Sequence, residues 1–119
     1  MKLREKYTCP LEVTHDITKG KWKPIILWQL NNQKKCSLSK LQREIAGITE
    51  KMLIQQLNEL LEYQLVDKKK YAGYPLKVEY SLTERGKKMV EAVVIMQEIG
   101  IDILKENDKT DVLEELGLL

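Results

Sequence analysis

Residues 39–63 read SKLQREIAGITEKMLIQQLNELLEY, and this stretch decides the fold. Leu41 and Ile45, with Leu38 just ahead of them, recur at helical spacing and share an inward face. Ser39 begins this helix, and Gly47 ends it. Thr49 is a good N-cap for the next helix, in which Leu53, Leu57, Leu60 and Leu61 form one apolar stripe. The pattern predicts helices over 39–46 and 50–63, joined only by Gly47-Ile48. That is the spacing of a helix-turn-helix.

The chain that follows changes period. Gln64 to Tyr71 reads QLVDKKKY, Ala72-Gly73-Tyr74-Pro75 is a turn, and Leu76, Val78, Tyr80 and Leu82 then alternate with Lys77, Glu79 and Ser81. Alternation of period two is the mark of a half-buried strand, so 65–82 is expected to be a β-hairpin. Thr83 caps a long helix over 84–106, with Glu84 favourably placed in its first turn and Gly100 inside it. Upstream, Pro10 opens a short helix holding Leu11, Val13 and Ile17, and Gly20 breaks it. Trp22, Ile25, Ile26 and Leu30 then define a helix over 21–30, in which Pro24 fits only the first turn, and Asn31-Asn32-Gln33 reads as a loop. Residues 107–119 read as a weakly helical, fraying tail. No internal repeat or interdomain linker interrupts the chain.

A helix-turn-helix followed by a hairpin is a winged helix. The expected fold is mainly α with a small β-hairpin, a single winged helix-turn-helix domain over 1–119. Within it, 1–8 is an N-terminal arm, 39–63 the helix-turn-helix, 65–82 the wing, 84–106 a dimerisation helix and 107–119 an acidic tail.

Composition narrows the function. The 119 residues are the length of one domain, and 43% hydrophobic residues without any Phe allow a mostly aliphatic core. No uncharged apolar run approaches a membrane span, no secretory leader is visible behind Met1, and two cysteines make no disulfide framework; a cytoplasmic protein is the expectation. The formal charge of +2 hides a split, since residues 102–119 carry −4 and the first 101 carry +6. A basic body hints at nucleic acid.

The predicted helix over 50–63 strengthens the hint. With Leu53 taken as zero and about 100° per residue, Leu57 and Leu60 fall within about 40° of it. Lys51, Gln55 and Asn58 fall near 160°, 200° and 140°, on the opposite side. Lys suits phosphate or guanine, and Gln and Asn can bond adenine edges in a bidentate way. Lys68-Lys69-Lys70 lies at the wing, where it could neutralise phosphates. Each feature has a plainer reading. The polar face could simply be solvated, and the lysines could mark a charged edge strand that discourages sheet-to-sheet pairing. Taken together, they favour double-stranded DNA. The candidate DNA contacts are Ser39, Lys40, Thr49, Lys51, Gln55, Gln56 and Asn58 from the helix-turn-helix, and Lys68, Lys69, Lys70 and Lys77 from the wing.

The order of residues also resembles a known family, the HxlR-type bacterial winged-helix transcriptional regulators. The resemblance covers roughly residues 9–101 and rests on Cys9-Pro10, on Gly20-Lys21-Trp22 with Ile25-Ile26-Leu27, on Leu41 to Ile48, on Leu53 to Leu61, and on Tyr74 to Gly86. It implies a homodimeric DNA-binding protein that represses or activates nearby genes, with its recognition helix opening at Thr49. Two positions depart from the family pattern. Ile99 stands where an aromatic is usual, and Lys77 stands where Arg is usual, which weakens bidentate phosphate contact there. Some such proteins sense oxidants, quinones or aldehydes through a cysteine at the position of Cys9. An oxidant or small-molecule effector is therefore an expected partner, and Cys9 a possible redox sensor.

The long helix adds a physical case for dimerisation. Met89, Val90, Val93, Val94, Met96, Ile99, Ile101, Ile103 and Leu104 are more apolar surface than one small core should cover. The candidate dimer interface is Val90, Val93, Val94, Ile99, Ile101, Ile103 and Leu104. Cys9 precedes Pro10 at a helix N-terminus near Lys6, where a thiol would be activated; a small residue without a signalling role is the plainer reading. Cys36 reads as structural. His15 is the only histidine, no Gly-rich phosphate loop appears, and Glu12 with Asp16 reads as a solvated helix face, so neither catalysis, metal nor cofactor is expected. The rival function is a winged-helix protein-interaction module that does not bind specific DNA.

Overall fold

The computed structural model describes residues 2–118. The elements run α1 (Leu11–Thr18), α2 (Trp22–Gln33), β1 (Lys35–Ser37), α3 (Leu38–Glu44), α4 (Glu50–Glu62), β2 (Val66–Tyr71), β3 (Lys77–Leu82), α5 (Glu84–Glu106) and α6 (Thr110–Glu115). This is the expected winged helix-turn-helix with a long C-terminal helix, mainly α with a small antiparallel sheet.

The core is aliphatic, as a chain without Phe must make it. Ile26, Leu27 and Leu30 of α2, Leu41 of α3, and Leu53, Leu57 and Leu60 of α4 are all fully buried, and Leu65, Val66, Tyr80 and Val90 join them from the wing base and α5. Local chemistry starts each helix where a cap is available. The hydroxyls of Ser37, Thr49 and Thr83 accept from the amides of Lys40, Met52 and Gly86, closing the N-termini of α3, α4 and α5. Gly47, at φ +85°, supplies the left-handed residue in the turn between α3 and α4.

Several details depart from the sequence reading. Asn31-Asn32-Gln33 is not a loop, because α2 runs on to Gln33 and the chain reverses at Lys34, whose φ is +64° and whose amide bonds the Leu30 carbonyl. The reversal feeds β1, which pairs with β3 through Lys35↔Ser81, Cys36↔Tyr80 and Ser37↔Glu79. The wing is thus a three-stranded sheet in the order β1-β3-β2, rather than an isolated hairpin. Ser37 and not Ser39 caps α3, so that helix spans Leu38–Glu44 rather than 39–46. Leu76 precedes β3 and is 64% exposed, outside the alternation assigned to it. Leu11 points outward from α1. The tail is more ordered than expected, since α6 seals Leu113 completely.

Two contacts fix α4 and the wing. Lys23 of α2 is almost wholly buried and its Nζ lies 2.6 Å from Oε2 of Glu59 on α4. Just past the same C-terminal end of α4, the first turn of α5 crosses the base of the wing. Thr83 donates its amide to the Leu65 carbonyl (3.1 Å) and its hydroxyl to the Gln64 carbonyl (2.7 Å), while Arg85 donates to the Tyr63 carbonyl (3.0 Å). Gly86 makes the crossing possible, because a Cβ there would run into the Leu65 carbonyl and also press on Leu82. Gly86→Ala is expected to lower stability by about 1–3 kcal/mol, as overpacking does. The readout is a lower urea midpoint, and an unchanged midpoint would contradict the close approach.

Candidate nucleic-acid interface

The site begins with α4. Its apolar stripe is sealed in the core, so its opposite face must be wet. Lys51, Gln55 and Asn58 are all exposed on that face, as the helical arithmetic expects. Glu50 occupies the first turn and Thr49 closes it, Thr49 Oγ1 accepting from the Met52 amide at 3.1 Å.

The wing stands beside α4, and its strand geometry sorts the lysines. In an antiparallel pair, directly opposed residues share a face and neighbours alternate. Lys68 pairs with Tyr80 and Lys70 with Val78, so both belong to the face that carries the core residues of β3. Lys69 pairs with Glu79 on the reverse face, where its Nζ lies 4.9 Å from the Tyr71 ring. Lys77 also approaches that ring, at 5.5 Å. Tyr71 bonds Glu79, which holds its phenol above the ordinary range. Asp67, paired with Ser81, shares this reverse face, so Lys69 and Lys77 are balanced there by Asp67 and Glu79, and the run of three lysines is not one patch.

Between α4 and the wing lies a cleft of about 820 Å³. Ser37, Leu38 and Ser39 form one end, Ile54 and Asn58 of α4 one wall, and Lys68, Pro75, Leu76, Lys77, Val78 and Tyr80 the other. Of the expected contacts, Ser39, Asn58, Lys68 and Lys77 meet in this cleft, and Lys51 and Gln55 are exposed on the same helix. Lys40 is half-buried, with its amide bonded to Ser37, and is not among the residues that line it. Gln56 is turned off the polar face; it is half-buried and its side-chain amide lies 3.5 Å from the Met52 sulfur. Ile54, 38% exposed, was not legible as a site residue. An isoleucine beside a leucine stripe reads as core, although its angular position, about 100° from Leu53, already sets it at the stripe's margin.

A second cavity of about 510 Å³ lies between α2, α5 and the segment after α6, lined by Trp22, Trp28, Val93, Met96 and Leu118 among others. On α5 the expected interface residues divide. Val90 is 3% exposed and belongs to the chain's own core, so it has no surface to offer a partner. Val93, Val94, Ile101 and Leu104 are half-buried, whereas Ile99 and Ile103 are more than half exposed, together with Ile95 and Met96. Among the described residues no group of His, Cys, Asp and Glu is arranged to hold a metal ion, and no helix is long and apolar enough to cross a membrane. Glu12 and Asp16 face Arg4 at 3.7 and 2.8 Å, and hydrogen bonds from Thr8 hold the Glu12 carboxyl below its usual range, so both carboxylates have structural partners.

The model of the HxlR-like helix-turn-helix family matches residues 17–108, from the end of α1 to just past α5. The chain belongs to this family. Membership makes it a DNA-binding transcriptional regulator of the winged helix-turn-helix type. It is 47% identical over 85 residues to the uncharacterized HTH-type transcriptional regulator YkvN of Bacillus subtilis, covering 71% of each chain. Its structure is similar to that of the redox regulator HypR in its reduced form, with a TM-score of 0.73 and 36% identity over 90% of this chain and 99% of that one. It is also similar to the reduced form of the transcriptional regulator YodB from B. subtilis, with a TM-score of 0.68 and 27% identity over 77% of this chain and 90% of that one.

Proposed function

We propose that this HxlR-family chain is a homodimeric repressor that binds a palindromic operator, each copy setting α4 into the major groove of one half-site. The observation that carries this reading is the cleft between α4 and the wing. It gathers Ser39, Asn58, Lys68 and Lys77 beside the exposed Lys51 and Gln55. Lysines along the rim suit the phosphate strand flanking the groove, and the amides of Gln55 and Asn58 suit base edges within it. Thr49 and Lys70 complete the contact set. Lys40, Gln56 and Lys69 fall outside it.

The dimer reading rests on α5. Ile95, Ile99 and Ile103 repeat every fourth residue and, with Met96, are each more than half exposed. Such a stripe is costly in water and is covered when a second copy lies against it. Two α4 helices related by a two-fold axis then require an inverted repeat. A redox input through Cys9 is supported by chemistry and by likeness. Cys9 is free and exposed, at the first turn of α1, where its own carbonyl accepts from the Glu12 amide; HypR, a redox regulator, is a structural relative.

Selection of bound sequences from a random duplex library, with and without oxidant, tests the reading as a whole. The expected product is an inverted repeat whose half-sites are centred about 10 base pairs, or a multiple, apart. Failure to enrich any sequence at low salt would favour the protein-interaction alternative.

Three narrower outcomes follow. Lys68→Gln should reduce the dependence of log K on log salt by about one, while Lys69→Gln leaves it nearly unchanged; titrations by fluorescence anisotropy read both. Wild-type protein should sediment as a dimer at micromolar concentration, and the double variant Ile99→Glu, Ile103→Glu as a monomer. Oxidant or quinone should weaken operator binding by the wild type and leave Cys9→Ser unaffected, and equal responses from the two proteins would exclude Cys9 as the sensor.

A further inference from the structure

We propose that Ile54 reads the C5-methyl group of a thymine in the operator, close to an adenine bonded by Asn58. The inference rests on the assignment of α4 to the major groove and extends it from contact to base identity. Ile54 departs from the pattern of its helix. Leu53, Leu57 and Leu60 are fully buried, so the core is complete without it, yet Ile54 is 38% exposed and forms part of the cleft wall. Its wall-mate is Asn58, one turn further along the same face.

The surroundings select the occupant. Leu38, Pro75, Leu76, Val78 and Tyr80 give the cleft a largely apolar lining, while Lys68 stands across from Ile54 and Ser39 at its end, so the cleft suits an apolar group carried on a polyanion. The exposed edge of Ile54 on the α4 wall suits an apolar group on such a ligand. The major groove offers one, the thymine methyl, and no other base presents it.

Spacing agrees. Four residues of helix advance about 6 Å, and successive bases on one strand are about 3.4 Å apart. Ile54 and Asn58 therefore address bases within about two steps of each other. Adenine offers Asn58 its N7 and N6 in the bidentate arrangement. The expected half-site contains an adenine and, within about two base pairs, a thymine whose methyl packs on the Ile54 side chain.

The experiment uses the operator obtained by selection, with each thymine replaced singly by deoxyuridine, which removes the methyl and keeps all base pairing. Affinities for the full-length protein are read by fluorescence anisotropy. One thymine per half-site should lose about fourfold in affinity on replacement, the effect of exposing one buried methyl. For Ile54→Ala the same replacement should have no effect. Because Ile54 lies outside the sealed core this variant is expected to fold, and the deoxyuridine series on the wild type decides the matter even if it does not. A flat series in the wild type would overturn the proposal, as would a fourfold loss that persists in Ile54→Ala. A wild type that binds no duplex specifically would instead overturn the DNA-contact assignment beneath it.

Discussion

The crossing of α5 over the base of the wing is the constraint on which the rest of the molecule depends. Three carbonyls at the end of α4, those of Tyr63, Gln64 and Leu65, receive hydrogen bonds from Arg85 and Thr83 within one turn of α5. At Leu65 the contact is backbone against backbone, through the Thr83 amide and the close approach admitted by the missing side chain of Gly86. Side chains can repack around a shift, whereas two backbones in contact cannot slide past one another cheaply. The end of α4, the start of β2 and the first turn of α5 are therefore one rigid piece. A displacement of α5 would be carried to the wing and to α4 together.

Around that piece the fold sorts polar groups by elementary geometry. The helical period of α4 sends its leucines one way and Lys51, Gln55 and Asn58 the other. The strand period of β2 sends Lys68 and Lys70 to one face and Lys69 to the other, where Glu79 and Tyr71 await it. The buried ammonium of Lys23 meets Glu59 from α2. The Glu59 side chain is 39% exposed, but breaking the pair would leave the buried Lys23 ammonium without its counter-charge, so the pair ties α4 to α2. The positioning of the exposed face of α4 is thus overdetermined, by apolar burial along one side, an ion pair beneath and the crossing at its end.

Much of this was legible in residues 39–86, because long periodic stripes and Thr caps leave few alternatives. What escaped has physical causes. The reversal after α2 uses Lys34 in a left-handed conformation that composition would assign to Asn or Gly. Strand β1 is three residues long, too short for alternation to register, and exists because β3 offers it a partner. The apolar surplus on α5 was visible, but a stripe does not say which of its members face inward; Val90 is taken by the chain's own core, while Ile99 and Ile103 are left outside. Gln56 and Ile54 each sit near the boundary between buried and wet on α4, where the angular step alone does not decide, and they resolve in opposite directions.

The two cysteines end in contrasting surroundings. Cys9 is exposed, whereas Cys36 is 1% exposed on β1 opposite Tyr80, where burial pushes its thiol up. The chain thereby contains a built-in pair of reporters. A maleimide dye applied to the native protein marks Cys9 selectively, without any engineered residue. The slow entry of the same reagent at Cys36 clocks the opening of the sheet next to the helix-turn-helix. Mass spectrometry of the singly and doubly labelled forms would then follow local unfolding and thiol reactivity in one sample.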